Sequence, residues 1–403
     1  MVDKFSENKF ILSCRIGAYT YCFDKFTDIE LADFTDNQIE AFITGWFGSE
    51  TFKSQSCWAE IRANNPIREL ATIPLLLTML CLVFDETLRF PPNRSELYKE
   101  ALDALLKKWD ASRSIKREDI YRHLSAKRKE EMFSRIASST FTAGQYFLSQ
   151  SQLEEEIASY IGNLPEAREE TLVLDSEAVL TAIQAQHGIF VEQAKGIYSF
   201  SHLTFQEYFT ARYIVDNAGT GELERFIASH VFDNKWREVF LLTSGMLGDA
   251  DRFFQLMKNQ IRQFARKMLT SYLGEIEERI LKTDSPYRHS VSIALAIFYS
   301  FVVSPSAGIY SRARDFAFDI AHTIDPGIDK DNKADCAAIC ESAIYVDRVT
   351  NRARPLHADG VGNIVSYLEA TKLLLDCLKT DCYVSKSVRE AIYDDALSAV
   401  AFD

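Results

Sequence analysis

Basic charge is what this sequence has least of. Across 403 residues, 45 Lys and Arg stand against 58 Asp and Glu, for a net charge of −13. A body built to bind nucleic acid shows a basic footprint, so this balance argues against one. Proline and glycine are few as well, at 9 and 16 residues. With long 3.6-residue periodicities, their scarcity indicates a mostly helical chain. The most apolar stretch, 291–303, covers 13 residues and is broken by Ser292 and Ser300. A membrane span needs about 20 apolar residues, so this stretch reads as a buried helix. No apolar h-region follows Met1-Val-Asp-Lys4, so no secretory signal is expected. The eight cysteines lack the spacing of a disulfide framework, which points to reduced thiols and a cytoplasmic setting. The remaining composition, 47% hydrophobic and 26% charged, is that of a soluble globular protein with room for roughly two to four domains.

A phosphate-binding loop of the form G-x-x-x-x-G-K-[ST] is also missing. Its glycines let backbone N–H groups cradle phosphates while the Lys neutralises them. The nearest approach, Gly48-Ser-Glu-Thr-Phe-Lys-Ser54, lacks the second Gly and follows no strand. No acidic Walker B strand precedes Lys9. Residues 9–15 do read as a short buried strand, ending in Arg15. Such a strand belongs to a sheet, yet no other strand precedes it and none follows until a hairpin near 190. The sequence is therefore expected to begin inside a domain.

What is present centres on Tyr198-Ser-Phe-Ser-His-Leu-Thr-Phe-Gln-Glu-Tyr-Phe-Thr-Ala-Arg-Tyr-Ile214. It reads as a strand, a turn at Ser201-His202, and a helix. Ser201 is placed to cap that helix. Phe205, Tyr208 or Phe209, and Arg212 or Tyr213 recur at helical spacing as an inward face. His202 falls at the positive end of the helix, where orphan N–H groups suit an anion such as a phosphate. The plainer reading is a histidine of the cap region with its ring bonded inside the fold.

Before this segment come helices over 118–140, 150–161 and 176–187. A hairpin follows, with strands over 188–192 and 197–200 and Gly196 at a left-handed turn position. This is a winged-helix order. As a DNA reader it would be poorly equipped, because its candidate recognition helix, 176–187, contains no Lys or Arg to neutralise phosphates. Upstream, Thr35 is a plausible N-cap for a helix with Ile39, Phe42, Ile43 and Trp46 on one face, and a second helix covers 52–63. Pro74 suits the first turn of an apolar helix. Ser95 is placed to cap a further helix that Trp109 anchors.

Helices are expected after 217 at 236–247, 251–273, 287–303, 309–323, 332–346, 364–378 and 384–400, in a solenoid-like array. Cys336, Cys340, Cys377 and Cys382 could in principle meet at a metal. Their x3 and x4 spacings are not those of zinc pairs, and buried thiols are the expected reading. The acidic segment 325–335 lacks the Gly and terminal Glu of a calcium loop and reads as a solvated turn.

The segment Phe200-Ser-His-Leu-Thr-Phe-Gln-Glu-Tyr-Phe209 resembles the signature that closes the winged helix of NACHT-type STAND ATPases, bacterial ones included. Phe10-Ile-Leu-Ser-Cys-Arg-Ile-Gly-Ala-Tyr19 resembles their sensor 1 strand. The proline segment 70–81, the segment 91–110 and the segment 236–247 resemble their helical domains. The resemblance implies a mainly α fold: a residual sensor 1 strand of a P-loop NTPase domain over 1–32, helical domain 1 over 33–112, a winged-helix domain with a β-hairpin over 113–217, and a C-terminal helical array over 218–403. It further implies a signalling switch, linked in bacteria to antiphage defence. In that switch Arg15 approaches the γ-phosphate, Pro74 packs on adenine and His202 reaches the ADP β-phosphate. ATP or ADP with Mg is expected only together with the missing P-loop half, and this chain by itself is expected to be inactive as an ATPase. Implied partners are that N-terminal half, on the same or another chain, a trigger at the array, and copies of the protein in the activated oligomer. The rival readings are a nucleotide-independent helical scaffold for a protein partner and, third, a DNA-binding winged helix.

Overall fold

The computed structural model describes residues 10, 26–27, 29, 32–91, 95–100, 125–164, 180, 189–281, 287–302, 309–328 and 358–397. Arg15, Trp109, Cys336, Cys340 and most of the expected helices over 176–187 and 332–346 lie outside them. The protein is mainly helical and forms two compact units, 1–90 with 99–209 and 91–98 with 210–403.

In the first unit, α1 (Asp36–Phe47) starts as expected. Thr35 and Gln38 form a capping box, the Thr35 N–H donating to Gln38 Oε1 at 2.9 Å. Its buried face is Ile39, Ile43 and Phe47, not the expected set ending in Trp46. Trp46 is 41% exposed and stacks on the half-buried Phe42 at 6.0 Å. Both registers fit a 3.6 period, and packing chose the one that puts Phe47 against Phe84.

The α1 helix is followed by α2 (Thr51–Ala63), α3 (Asn65–Ala71) and α4 (Pro74–Thr87). The P-loop look-alike is a helix junction. Gly48 ends α1 at φ 56°, and Lys53 on α2 is paired with Asp85 of α4. Pro74 occupies the first turn of α4, whose Leu76, Leu77, Leu80, Cys81 and Phe84 are almost fully buried. Each of the Leu and Phe side chains contributes about 1.5–3 kcal/mol relative to exposure. Cys57 and Cys81 are buried side by side. Their hydrogen bond, and then desolvation, push the Cys57 thiol up, as expected of an inert reduced pair.

The winged-helix part of this unit comprises α5 (Ala126–Thr142), β1 (Leu148–Ser149), α6 (Gln150–Gly162), β2 (Phe190–Ala194), β3 (Ile197–Phe200) and the part of α7 (Leu203–Asp216) up to Phe209. The strands form an antiparallel sheet in the order β1-β3-β2, with Leu148 opposite Tyr198 and Phe190 opposite Phe200. Gly196 turns the hairpin at φ 71°. The core is aromatic: Phe190 lies 4.4 Å from Phe200 and Phe133 lies 5.4 Å from Phe209, centroid to centroid.

In the second unit, Ser95 opens the described part of the helix over 95–100. It is buried and donates to the Leu242 carbonyl at 3.2 Å. The helices are α8 (Glu222–His230), α9 (Arg237–Met246), α10 (Asp251–Met268), α11 (Thr270–Leu281), α12 (His289–Val302), α13 (Ile309–Ile324), α14 (Ala358–Leu378) and α15 (Lys386–Asp395). The helix expected over 251–273 breaks at Leu269, so α11 is a separate element.

Residues 291–298 of α12 are buried without interruption, and among the described residues no helix is long and apolar enough to cross a membrane. The last helix is tied down by charge. Lys258 donates to the Ala391 carbonyl and to Asp395, both at 2.8 Å. Arg288 meets Glu390 at 2.7 Å and Asp394 at 2.9 Å. Cations at the negative end of α15 also complement its dipole. Of the 325–335 segment, the described part is a turn in which the Gly327 N–H donates to Asp325 Oδ1 at 3.0 Å.

Candidate functional site

The best-defined polar site among the described residues is the start of α7. Strand β3 brings the chain in at Phe200, and the Ser201 N–H donates to the Ile189 carbonyl at 2.7 Å. That bond spends the Ser201 amide on the hairpin and places the helix start two residues later. The His202 ring takes part in capping this helix. Its Nδ1 accepts the Thr204 N–H at 3.2 Å and lies 3.0 Å from Thr204 Oγ1. An imidazole thereby satisfies one of the orphan donors of the first turn. The His202 side chain is half-buried, and Leu203 beside it is 38% exposed.

Behind this turn, aromatic and polar residues interleave. Phe205, Tyr208 and Phe209 are all buried, at 3% exposure or less, so both alternatives of the expected inward face are used. Arg212 and Tyr213 are half-buried, and Arg212 pairs with Asp216 one turn on, at 3.1 Å. Thr204 and Gln206 are also buried. The Gln206 amide donates to Thr140 Oγ1 at 2.9 Å and to the Gln145 carbonyl at 3.2 Å. Thr140 in turn donates to the Ile136 carbonyl at 2.7 Å. Gln206 thus fixes the first turn of α7 to the end of α5. Sequence reasoning passed over Thr204 and Gln206. Their signal was polar residues, Thr204, Gln206 and Thr210, set among aromatic ones, a pattern that leaves buried hydrogen-bonding groups needing partners.

The helix start has the electrostatic character that suits an anion. The first turn of a 14-residue helix carries the positive end of its dipole, and an imidazole stands on it. Of the other sequence-derived site residues, Pro74 lies exposed at the start of α4, and Arg15 falls outside the described residues. Cys377 is buried and Cys382 half-buried. Desolvation pushes both thiols up, and Cys382 Sγ lies 3.8 Å from the Cys377 carbonyl. No group of metal-ligating side chains occurs among the described residues, while Cys336 and Cys340 lie outside them.

A family model described as the winged helix-turn-helix domain C-terminal to NACHT matches residues 94–214. A second, described as NACHT C-terminal helical domain 2, matches residues 332–399. No curated protein matches the chain.

Proposed function

From the premise that this chain is a C-terminal portion of a NACHT-family protein, we propose that it forms the clamping and sensing part of a nucleotide-gated switch. The observation that carries this reading is the imidazole of His202 mounted on the N-terminal turn of α7. In the resting state the β-phosphate of ADP accepts a hydrogen bond from His202 and lies near the positive end of that helix. Pro74, exposed at the first turn of α4, packs on adenine, and Arg15 approaches the γ-phosphate once ATP is bound. The nucleotide and its Mg are held chiefly by the P-loop half, supplied by the same protein or by a partner chain.

A trigger engages the helical array and biases the protein toward its open state. ATP replaces ADP, and copies of the protein assemble. Such a cycle requires that ADP and ATP prefer different states, because a ligand with equal affinity for both shifts nothing. The setting is cytoplasmic signalling, and antiphage defence is the role the family resemblance suggests.

The test uses the protein together with its P-loop half and reads retained ADP after gel filtration. His202→Asn keeps a residue able to cap α7 but shortens the reach to a phosphate. Loss of one hydrogen bond to a charged group weakens ADP retention about 10- to 150-fold. Unchanged retention in a folded variant would remove the clamp reading and leave the helical scaffold in its place.

A further inference from the structure

We propose that Thr204 is the positioning residue for His202, setting which of its ring nitrogens carries the proton and so which can donate to a phosphate. The proposal rests on the clamp reading above. A backbone N–H can only donate. Because the Thr204 N–H points at Nδ1 from 3.2 Å, that nitrogen must present its lone pair, and the neutral ring carries its hydrogen on Nε2. The Thr204 hydroxyl, 3.0 Å from the same nitrogen, donates to it as well and holds the ring in one rotamer. Both contacts come from a residue only 6% exposed. Water therefore competes poorly for them.

The consequence for recognition is directional. A ring held through Nδ1 presents Nε2–H away from its own helix start, as a donor. A ring with the other tautomer would point a lone pair at the ligand and repel a phosphate oxygen. Gln206 supports the same geometry from below, since its bonds to Thr140 and Gln145 fix where the first turn stands. The arrangement thus assigns three separate tasks along one turn: His202 contacts the ligand, Thr204 sets its proton, and Gln206 sets its place.

The experiment is 15N NMR of the chain carrying 15N-labelled histidine, with the His202 signal assigned through His202→Asn. The expected result is a pyridine-like Nδ1 and a pyrrole-like Nε2. Thr204→Val removes the hydroxyl at nearly constant volume and leaves only the 3.2 Å backbone contact. The ring then leaves the rotamer in which that contact is made for part of the time and is expected to become a mixture of tautomers, while Thr204→Ser restores the single form. A wild-type ring with its proton on Nδ1, or a tautomer indifferent to Thr204→Val, overturns the proposal. The paired readout is ADP retention in the protein with its P-loop half. There Thr204→Val loses about 2- to 10-fold and Thr204→Ser does not. If the tautomer behaves as expected and ADP retention does not move, the clamp reading fails while the positioning of the ring stands.

Discussion

Replacing Gln206 tests whether the polar groups buried along α7 hold the winged helix together. The side chain is 2% exposed and donates two hydrogen bonds, to Thr140 Oγ1 and the Gln145 carbonyl. In Gln206→Leu both bonds are lost at similar volume. Taken at about 0.5–1.5 kcal/mol each, they sum to about 1–3 kcal/mol. The lower half of that range applies here. The Thr140 hydroxyl keeps the Ile136 carbonyl as its acceptor, and Gln145 is exposed enough for water to reach it. The expected cost is about 1–2 kcal/mol.

Gln206→Glu has nearly the same shape but, when ionised, cannot donate and turns an anion toward a carbonyl. Burying a charge there costs more than the neutral substitution, up to about 3–5 kcal/mol. Protonation restores a donor, so a carboxyl at this position has a raised folded-state pKa and the native state binds the extra proton. Stability of that variant therefore rises as pH falls.

A chain of several parts does not unfold in one step, so the assay is local hydrogen exchange. The reporters are the Gly144 and Gln145 amides, bonded to the Phe141 and Thr140 carbonyls in the turn after α5. Equal protection in the Leu and Glu variants at neutral pH would refute the reasoning. So would a Gln206→Glu variant indifferent to acid.

Two further outcomes follow from other parts of the fold. His230 stacks on Trp236 at 3.8 Å, and desolvation lowers its pKa despite the opposing charge of Asp233. The unfolded state then binds more protons below about pH 6.5, so this contribution is complete above that value and is lost as pH falls toward the folded-state pKa. Trp236 fluorescence during unfolding should show that His230→Phe flattens this acid slope. Gly196→Ala introduces no clash, since nothing lies within 4 Å of the added Cβ. Its φ of 71° nevertheless costs an L-residue about 1–2 kcal/mol. The β2 and β3 amides should exchange faster in that variant, and Gly196→Asn should recover most of the protection.

Local signals were the legible ones. The N-cap at Thr35, proline at the first turn of α4 and glycine at the hairpin each act within a few residues, and each appears where its chemistry puts it. What escaped depends on distant partners. Strand β1 has only two residues and exists because Leu148 and Ser149 pair with Tyr198 and Ile197. The choice of Phe47 over Trp46 for burial is made by Phe84, far along the chain. The break at Leu269 carries no glycine or proline to announce it. At the start of α7, it was the resemblance that singled out His202. The plainer reading, a cap-region histidine with its ring bonded inside the fold, matches the contacts from Thr204. Which first-turn N–H the ring accepts was not legible, because serine is the ordinary residue for that role.

The contacts that secure α15 also set an order in time. Lys258 reaches Ala391 and Asp395, the Ala250 N–H donates to the Tyr383 carbonyl, and the Ser385 N–H donates to Asp251. Each joins residues more than 130 positions apart. Partners so far apart must wait for each other, since closing a long loop precedes any gain from the contact it makes. During synthesis α10 emerges well before the helix that neutralises its cations. At about 5–20 residues per second, that interval lasts on the order of ten seconds. Until it ends, the acidic surface that Lys258 and Arg262 await does not yet exist, and this unit must be shielded or patient.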